Sequence, residues 1–251
     1  MDKKLTGRVA VITGASRGLG RAMAIALGEQ GARLALVSRD LDHLNATAEA
    51  VRELGAEAEV YRTNVTDEHE VRQLERDVLQ RFGAVHILVN NAGINVRKNV
   101  PDFTLDEWRS VLDTNLTSVF LLCRSFVPQM KGLGYGRIIN MTSIMSHVSL
   151  PGRAAYSASK TGLLGFTKAL ALELAGTGVT AVAISPGPFA TEMNAPIIND
   201  PEKNAAFVAK IPMGRWGQLQ EIGQLAAFLC SEDAGFITGT DILIDGGWCA
   251  Q

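Results

Sequence analysis

A glycine-rich turn directly after a β-branched run limits the choice of fold more than any other segment of this chain. The run is Arg8–Thr13, and Gly14, Gly18 and Gly20 follow it, ahead of the helix-forming segment 21–27. A strand, a glycine turn and a helix in this order leave free backbone N–H groups where a pyrophosphate can bind. The spacing G-x-x-x-G-x-G is a variant of the usual dinucleotide fingerprint. The motif predicts a dinucleotide-binding βα unit, although a glycine-rich strand-helix turn without a ligand would give the same pattern.

The same order of strand and helix continues along the chain. No linker, repeat or low-complexity tract interrupts it, and six further strand-like runs are Arg33–Ser38, Glu57–Asn64, Val85–Asn90, Arg137–Thr142, Val179–Ser185 and Asp241–Ile244. Strands that alternate with helices build a parallel sheet covered on both faces. We therefore predict an α/β fold, a Rossmann-like doubly wound parallel sheet of about seven strands, formed by residues 1–251 as a single domain.

Composition and charge narrow the range of partners. With a net charge of −2 in 251 residues, the chain has no basic surface suited to nucleic acid or to a membrane. It contains neither a signal-peptide core nor a membrane-spanning run, so we expect a cytoplasmic protein. Cys123, Cys230 and Cys249 are widely spaced, which favours free thiols over disulfides or a zinc site. We expect a small-molecule substrate and no metal.

The end of the second predicted strand bears on the choice between NAD and NADP. An acidic residue there binds the adenosine ribose of NAD, whereas a nearby arginine accommodates the 2′-phosphate of NADP. Here Ser38 brings no carboxylate, Arg39 follows it, and Arg17 in the glycine turn is a second cation. NADP(H) is therefore favoured over NAD. The alternative is that both arginines are only solvated and that Asp40 binds the ribose hydroxyls.

A tyrosine and a lysine four residues apart, Tyr156 and Lys160, would share one face of a helix. A neighbouring ammonium stabilises the phenolate and lowers the phenol pKa from its usual value near ~10 towards that of a general acid or base. The pair therefore predicts proton transfer. Surface helices also place tyrosine and lysine at this spacing, so the pair alone is weak support.

Seven motifs in one order give the chain a recognisable pattern. They are Thr13–Gly20, Asn64–Asp67, Asn90–Gly93, Asn115, Ser143, Tyr156 with Lys160, and Pro186–Thr191. Over nearly its whole length the chain thus resembles the compact short-chain dehydrogenase/reductases. The resemblance implies that Tyr156 protonates a substrate carbonyl oxygen while NADPH delivers hydride, and that Ser143 binds the same oxygen. It also implies that Lys160 holds the nicotinamide ribose and that Asn115 binds a water linking Lys160 to solvent.

The resemblance further implies which residues bind the cofactor. These are Gly14, Ser16, Arg17, Gly18, Leu19, Gly20, Ser38, Arg39, Asn64, Val65, Asn91, Ala92, Gly93, Tyr156, Lys160, Pro186, Gly187, Phe189 and Thr191. Several have structural alternatives: Asn90 and Asn91 could form a turn, and Asn64 could cap a helix. Asn115, in an apolar helix over residues 112–120, could be a structural hydrogen-bonding group, and Ser143 a strand-end hydroxyl.

Substrate identity is less well defined. Residues 192–215, with two short helical stretches between glycines, are typical of a mobile lid. The resemblance places Ile94, Asn95, Met145, His147, Arg153, Phe189 and Met193 near the pocket mouth. His147 or Arg153 could bind a carboxylate, although such side chains are more often only solvated.

The runs 95–98, 189–193 and 214–217 are most similar to the gluconate 5-dehydrogenase branch, whose members interconvert a keto sugar acid and its alcohol. The alternative branch is the 3-oxoacyl-carrier-protein reductases, whose carrier-docking arginines correspond to Gly134 and Thr177 here. A non-catalytic dinucleotide sensor or scaffold is the alternative from another class, which a complete catalytic set disfavours.

The resemblance also implies a homotetramer, packed through small residues of the Tyr156 helix and through the segment 239–247. Packing inside one subunit would explain the small residues equally well.

Overall fold

Seven parallel strands form the centre of the molecule. The computed structural model describes residues 3–251, and at Met193 only the backbone, so the predicted place of that side chain at the pocket mouth lies outside the described residues. The strands are β1 (Val9–Thr13), β2 (Arg33–Ser38), β3 (Ala58–Arg62), β4 (Ile87–Asn90), β5 (Gly136–Met141), β6 (Val179–Pro186) and β7 (Asp241–Ile244). Each predicted strand-like run matches one of them to within two residues at either end, so the predicted sheet is confirmed.

Nine α-helices connect and cover these strands in the part of the chain that the structure describes. They are α1 (Gly18–Glu29), α2 (Leu41–Glu53), α3 (Glu68–Phe82), α4 (Leu105–Leu112), α5 (Ser118–Met130), α6 (Ala154–Glu173), α7 (Ala195–Ile198), α8 (Pro201–Val208) and α9 (Leu219–Leu229). A π-helical turn, Asp113–Thr117, joins α4 to α5. Between residues 3 and 251, none of the helices is long and apolar enough to cross a membrane.

The two faces of the sheet carry separate apolar cores. Successive side chains of a strand point to opposite faces, and in β1 Ala10 and Ile12 join the core under α1, α2 and α9. Val9 and Val11 join the core under α3, α5 and α6. Burial on both faces explains why the strands are continuous apolar runs rather than alternating ones.

The strand order places a crevice at the middle of the sheet. The order is β3-β2-β1-β4-β5-β6-β7, so the chain leaves β1 in one direction towards β2 and later returns on its other side as β4. Connections on opposite faces diverge at this point, and ligands of open parallel sheets bind there, beyond the carboxyl ends of the strands. The glycine turn after Thr13 and the segment after Asn90 both lie at that edge.

Candidate active site

A cleft of about 820 Å³ opens at the carboxyl ends of the strands and brings together most of the predicted site residues. Those that line it are Gly14, Ser16, Arg17, Gly18, Leu19, Ser38, Arg39, Asn64, Val65, Asn91, Ala92, Gly93, Ser143, Tyr156, Lys160, Pro186, Gly187, Phe189 and Thr191. Two predicted residues, Gly20 and Asn115, are not among its lining residues. The residues that do line it lie at or just after the carboxyl ends of the strands β1 to β6, which only the folded sheet could bring together.

The glycine turn suits a pyrophosphate. Helix α1 begins at Gly18 without a side-chain cap, so backbone N–H groups of its first turn are available to an anion. Gly14 has φ +63°, a conformation that other residues rarely adopt. A Cβ at Gly20 would collide with the Gly14 carbonyl oxygen. Gly20 therefore permits close packing inside the turn and does not itself line the cleft, so its contact with a cofactor stays a prediction.

Asn91 connects the glycine turn to the fourth strand. Its Nδ2 donates to the carbonyl oxygens of Thr13 at 3.0 Å and of Gly14 at 3.1 Å. The Thr13 hydroxyl in turn accepts from the backbone N–H groups of Asn91 and Ala92. These bonds fix the turn against the segment that lines the centre of the cleft. Asn90, in contrast, points away from the cleft and donates to Asn140 Oδ1 at 2.8 Å.

The end of β2 presents a hydroxyl and an exposed cation to the cleft. Ser38 Oγ lies 3.2 Å from Ser16 Oγ, and no carboxylate within residues 3–251 pairs with Arg39. The Asp40 carboxylate already has two partners within the protein. It caps α2 by accepting from the His43 N–H, and it forms an ion pair with Arg17. These bonds hold the pKa of the Asp40 carboxyl below its usual value, with the His43 hydrogen bonds as the largest cause. Asp40 therefore serves as a helix cap.

Asn64, at the end of the cleft next to β3, forms a turn and also lines the cleft. Its Oδ1 accepts from the Thr66 N–H at 3.3 Å and the Thr66 hydroxyl at 3.0 Å, which forms a turn ahead of α3. Asn64 and the largely buried Val65 nevertheless line the cleft. The turn therefore positions both residues at the wall of the cleft.

Tyr156 and Lys160 lie in the first turns of α6, at the opposite end of the cleft. Lys160 is buried, and its Nζ donates to the Met141 carbonyl oxygen at 2.5 Å. Nζ lies 5.8 Å from the centre of the Tyr156 ring. Burial lowers the pKa of Lys160 from 10.5 to about 8. The ammonium is thus held close to the phenol at a cost in solvation.

The acidity of Tyr156 differs from the expectation based on spacing. Burial raises the pKa of this phenol, while a hydrogen bond with Ser143 and the positive charge of Arg153 act in the opposite direction. Burial outweighs the nearby positive charge, so Tyr156 is a protonated phenol in this structure, which suits a proton donor. The net direction of the pKa shift is therefore opposite to the lowering that the spacing of Tyr156 and Lys160 predicted.

Asn115 occupies the π-helical turn between α4 and α5 instead of the regular helix that the sequence indicated. It is fully buried; its Oδ1 accepts from the Ile94 N–H at 2.8 Å, and its Nδ2 donates to the Ile94 carbonyl at 2.9 Å and to Ser159 Oγ at 3.0 Å. Asn115 therefore holds Ile94, which lines the cleft, against α6. It contacts the site through these neighbours, and π-turns frequently occur at functional sites.

Comparison with known proteins assigns the family. A family model described as Enoyl-(Acyl carrier protein) reductase matches residues 14–249. The 3-oxoacyl-(acyl-carrier-protein) reductase FabG of Haemophilus influenzae is 37% identical over 244 residues, which are 97% of this chain and 98% of that protein. This chain belongs to the short-chain dehydrogenase/reductase family. It is accordingly an oxidoreductase that interconverts ketones and secondary alcohols.

Solved structures of similar short-chain dehydrogenase/reductases share the whole fold. A proposed gluconate dehydrogenase from Agrobacterium tumefaciens superposes with a TM-score of 0.95 at 38% identity, covering 100% of this chain and 99% of that one. A proposed NAD(P)-dependent gluconate 5-dehydrogenase from Beutenbergia cavernae, with bound NADP at low occupancy, gives 0.93 at 36% identity with 100% of both chains covered. The Rossmann-like fold is thereby confirmed.

The segment 192–215 of this dehydrogenase/reductase contains the two predicted short helices, α7 and α8, and its residues Glu192 and Asn194 line the cleft. The residues that flank this segment are held together. The Ala190 N–H donates to the Gly217 carbonyl at 3.1 Å, and the Gly217 N–H donates to the Pro188 carbonyl at 2.9 Å. The first residue of the segment, Glu192, pairs with Arg17 of the glycine turn at 3.4 Å.

His147, a candidate ligand for a substrate carboxylate, is paired with a carboxylate of the protein itself. Its Nε2 lies 2.5 Å from the Asp241 carboxylate of β7, which also accepts from Thr142 and Ser185. Sequence reasoning missed this cluster, because nothing in the spacing of residues 142, 147, 185 and 241 connects them. Asn95, in contrast, lines the cleft as predicted, and its Oδ1 has no protein partner within residues 3–251.

Proposed function

We propose that this chain is an NADPH-dependent reductase that interconverts a small ketone and its secondary alcohol, with keto sugar acids as the favoured substrate class. The proposal depends on one observation: Ser143, Tyr156 and Lys160 meet at one end of a cleft whose other end carries Ser38 and Arg39. A dinucleotide that extends between these ends would bring its nicotinamide to the phenol.

The residues present fit such a cofactor. The uncapped first turn of α1 offers N–H groups to a pyrophosphate, and a Cβ at Gly18 would meet only the Thr191 methyl group, at 3.8 Å, so the turn leaves room for a ligand. When bound, NADPH supplies the hydride of the reduction. Lys160 would hold the nicotinamide ribose, and the segments 91–93 and 186–191 would surround the nicotinamide half.

Side chains of the protein supply the proton for the reduction and bind the carbonyl oxygen of the substrate. Tyr156 donates its phenolic proton to the substrate carbonyl oxygen, and the Ser143 hydroxyl donates a hydrogen bond to the same oxygen. The raised pKa of Tyr156 keeps the donor protonated at neutral pH. The Lys160 ammonium then stabilises the phenolate that forms, and Asn115 supports the helix that carries both residues. In the reverse direction the same groups oxidise an alcohol.

Preference for NADP over NAD is supported by charge at the end of β2. Ser38 leaves space where a carboxylate would repel a phosphate, and Arg39 is exposed beside it. Asp40, the group that would favour NAD, is used as a helix cap and as the partner of Arg17. A 2′-phosphate would gain a charge-assisted bond from Arg39 without breaking an existing ion pair.

An acidic substrate is supported by two cations near Tyr156. The backbone N–H of Lys98 donates to the Gly152 carbonyl at 3.2 Å, which brings the segment with Arg97 alongside the segment with Arg153. Burial and the charge of Arg97 lower the pKa of Arg153. A carboxylate bound there would relieve this repulsion. Asn95 offers an amide to a substrate hydroxyl, and the two structural relatives described as gluconate dehydrogenases agree with this class.

A 3-oxoacyl thioester is the second candidate, because the Haemophilus influenzae relative acts on that class by name. Gly134 and Thr177 stand where that branch has carrier-docking arginines. Gly134 has φ +66°, and the Thr177 hydroxyl donates to the Leu174 carbonyl, so both positions serve local turns. This difference disfavours an acyl carrier protein as the partner.

A substrate panel tests the function. Purified protein with NADPH receives keto sugar acids, 3-oxoacyl thioesters or neutral β-keto esters, and oxidation is followed at the nicotinamide absorbance band. We expect the greatest kcat/KM with keto sugar acids. A preference for thioesters would select the second candidate. If no carbonyl is reduced although NADPH binds, the non-catalytic sensor or scaffold would replace the enzyme.

The remaining proposals concern organisation. We propose a single domain with residues 192–215 as its lid, supported by one sheet that extends from residue 9 to residue 244.

We also propose a homotetramer, supported by exposed apolar side chains at Leu172, Phe236 and Leu243. In α6, Ser159 is buried within the subunit, whereas Gly165 faces open space where another helix could approach. Free cysteines agree with a cytoplasmic location.

A further inference from the structure

The turn that follows Ser143 is fixed at both of its ends. Ser143 Oγ accepts from the Met145 N–H at 3.1 Å, and the Ser143 carbonyl accepts from the Ser146 N–H at 2.8 Å. This closes one turn of 3-10 helix, Ile144–Ser146, with His147 at its end. The direction of the Ser143 hydroxyl therefore depends on where this turn is held.

The Asp241 carboxylate is hydrogen-bonded to the side chains that hold the two ends of this turn. At the far end, Asp241 Oδ2 lies 2.5 Å from His147 Nε2. At the near end, the same oxygen accepts from Ser185 Oγ at 2.7 Å, and Ser185 Oγ lies 3.0 Å from the Ser143 carbonyl oxygen. Asp241 Oδ1 is 2.9 Å from the hydroxyl of Thr142, the residue before Ser143.

Most of these groups are removed from water, while His147 lies at the surface of the protein. The Asp241 side chain is 10% exposed and the His147 side chain 31% exposed, and Thr142 and Ser185 are buried. A buried carboxylate requires several hydrogen-bond donors, and the side chains around the turn provide them. Each hydroxyl has a single proton but several oxygens within reach, so replacement of one member redirects the others.

We propose that Asp241 and His147 are positioning residues of the reductase, which act through the turn to hold the Ser143 hydroxyl where the substrate oxygen binds. Neither residue lines the cleft, so they affect the reaction only through Ser143. The proposal rests on the proposed function insofar as it assigns that role to Ser143. The attachment of the turn to β7 does not depend on it.

The test uses His147→Leu, which removes the hydrogen bond, and His147→Gln, whose amide nitrogen can occupy the place of Nε2. Misplacement of a reacting group by about 1 Å can cost up to ~10²-fold in rate. We expect His147→Leu and Asp241→Leu to lower kcat at least tenfold, with the KM for ketone and the affinity for NADPH little changed. His147→Gln should recover kcat to within about threefold of the parent.

A matched control is His86→Leu. The Nδ1 of His86 accepts from the Val9 N–H at 3.1 Å, at the opposite edge of the sheet, so its loss affects the fold without reaching the turn. All variants are assayed well below their unfolding temperatures. We expect His86→Leu to lower Tm while leaving kcat unchanged. If His147→Leu retains the parent kcat, or if His147→Gln fails to recover it, the positioning role is wrong.

A readout without turnover separates this inference from the proposed function. The N–H groups of Ser146, His147 and Val148 are bonded within the turn. We expect Asp241→Leu and His147→Leu to accelerate their hydrogen exchange, and His86→Leu to leave it unchanged. Faster exchange in a protein that reduces no ketone would overturn the proposed function alone. Unchanged exchange would overturn the attachment itself.

Discussion

The catalytic end of the cleft and the rim around the cleft are built in different ways. The catalytic end, which consists of Ser143, Tyr156 and Lys160, lies on α6 and on a turn bonded to β6 and β7, and Ser143 and Lys160 are buried. The recognition rim, which consists of Arg17, Arg39, Arg153 and residues 192–215, is more exposed, and Arg39 pairs with no carboxylate in residues 3–251.

This difference has a physical reason. Groups that stabilise a transition state must be in place before the reaction, because reorganisation would cost part of their effect. Groups that select a ligand can become ordered when it binds. Changes at the catalytic end should therefore alter turnover of every substrate, whereas changes at the rim should alter the choice between ligands.

The largest expected effect is at the catalytic end. Tyr156→Phe removes the proton donor and keeps the ring, so kcat should fall by about 10²–10⁴-fold, as for loss of a general acid. NADPH affinity, measured by fluorescence titration, should remain within a few-fold of the parent. Near-normal turnover of any ketone by this variant would break the distinction between the catalytic end and the rim.

At the rim, Arg39→Ala should change selectivity between cofactors. Only NADPH carries the 2′-phosphate, so its binding should weaken by about 1.5–3 kcal/mol, the range for hydrogen bonds to charged groups, while NADH binding changes little. Dissociation constants for both cofactors provide the measurement, and turnover at saturating NADPH serves as the control. A parent protein that uses NADH better than NADPH would contradict this view of Ser38 and Arg39.

The cost of burying Lys160 gives a prediction that depends on pH. The pKa of Lys160 is lowered from 10.5 to about 8 in the folded protein. The solvation penalty on the ammonium is complete below pH 8 and disappears as pH rises towards 10.5, because the unfolded chain then binds more protons than the folded one. Relative to Lys160→Met, the unfolding free energy of the parent should rise by about 1–2 kcal/mol between pH 7.5 and 9.5.

Urea unfolding of both ligand-free proteins at the two pH values measures this difference. The other titrating groups cancel because they are shared by the two proteins. A constant difference across the range would show that Lys160 is not held as a buried cation, and that the catalytic end carries less of a solvation cost than its burial indicates.

Arg153→Ala should separate acidic from neutral substrates. If Arg153 binds a substrate carboxylate, KM for keto acids should rise about tenfold, somewhat less than for a fully buried ionic hydrogen bond. Neutral ketones should keep their KM. Because Arg153 also lowers the pKa of Tyr156, kcat can change for both classes, so KM is the deciding quantity. An equal rise for both classes would remove the keto-acid assignment.

The smallest energetic effect is expected in the lid, residues 192–215. The Arg17–Glu192 pair is half-exposed, and such pairs contribute about 0–1 kcal/mol. Hydrogen exchange in this segment should be fast in the free protein and slow with NADPH and a substrate analogue, while residues 143–148 stay protected in both states. Glu192→Gln should leave Tm nearly unchanged. Equal protection of both regions in the free protein would remove the proposed difference in mobility.

Much of the fold could be predicted because its signals are local. β-branched runs, the glycine turn after Thr13 and the alternation of strands with helices each reflect backbone preferences of neighbouring residues. The same applies to Tyr156 and Lys160, since a spacing of four residues on a helix determines their proximity. Residues at the ends of parallel strands could be placed in one cleft for the same reason, without knowledge of the helices between them.

The sequence by itself therefore determined the order of the strands along the chain, the edge at which the site lies and the residues that surround it. Only the tertiary structure decided that Asn115 lies in a π-helical turn, that burial raises the pKa of Tyr156, and that His147 pairs with Asp241 of β7. Hydrogen bonds and solvation depend on which groups become neighbours after distant segments pack, and residues 147 and 241 acquire their chemistry only when β7 joins the sheet.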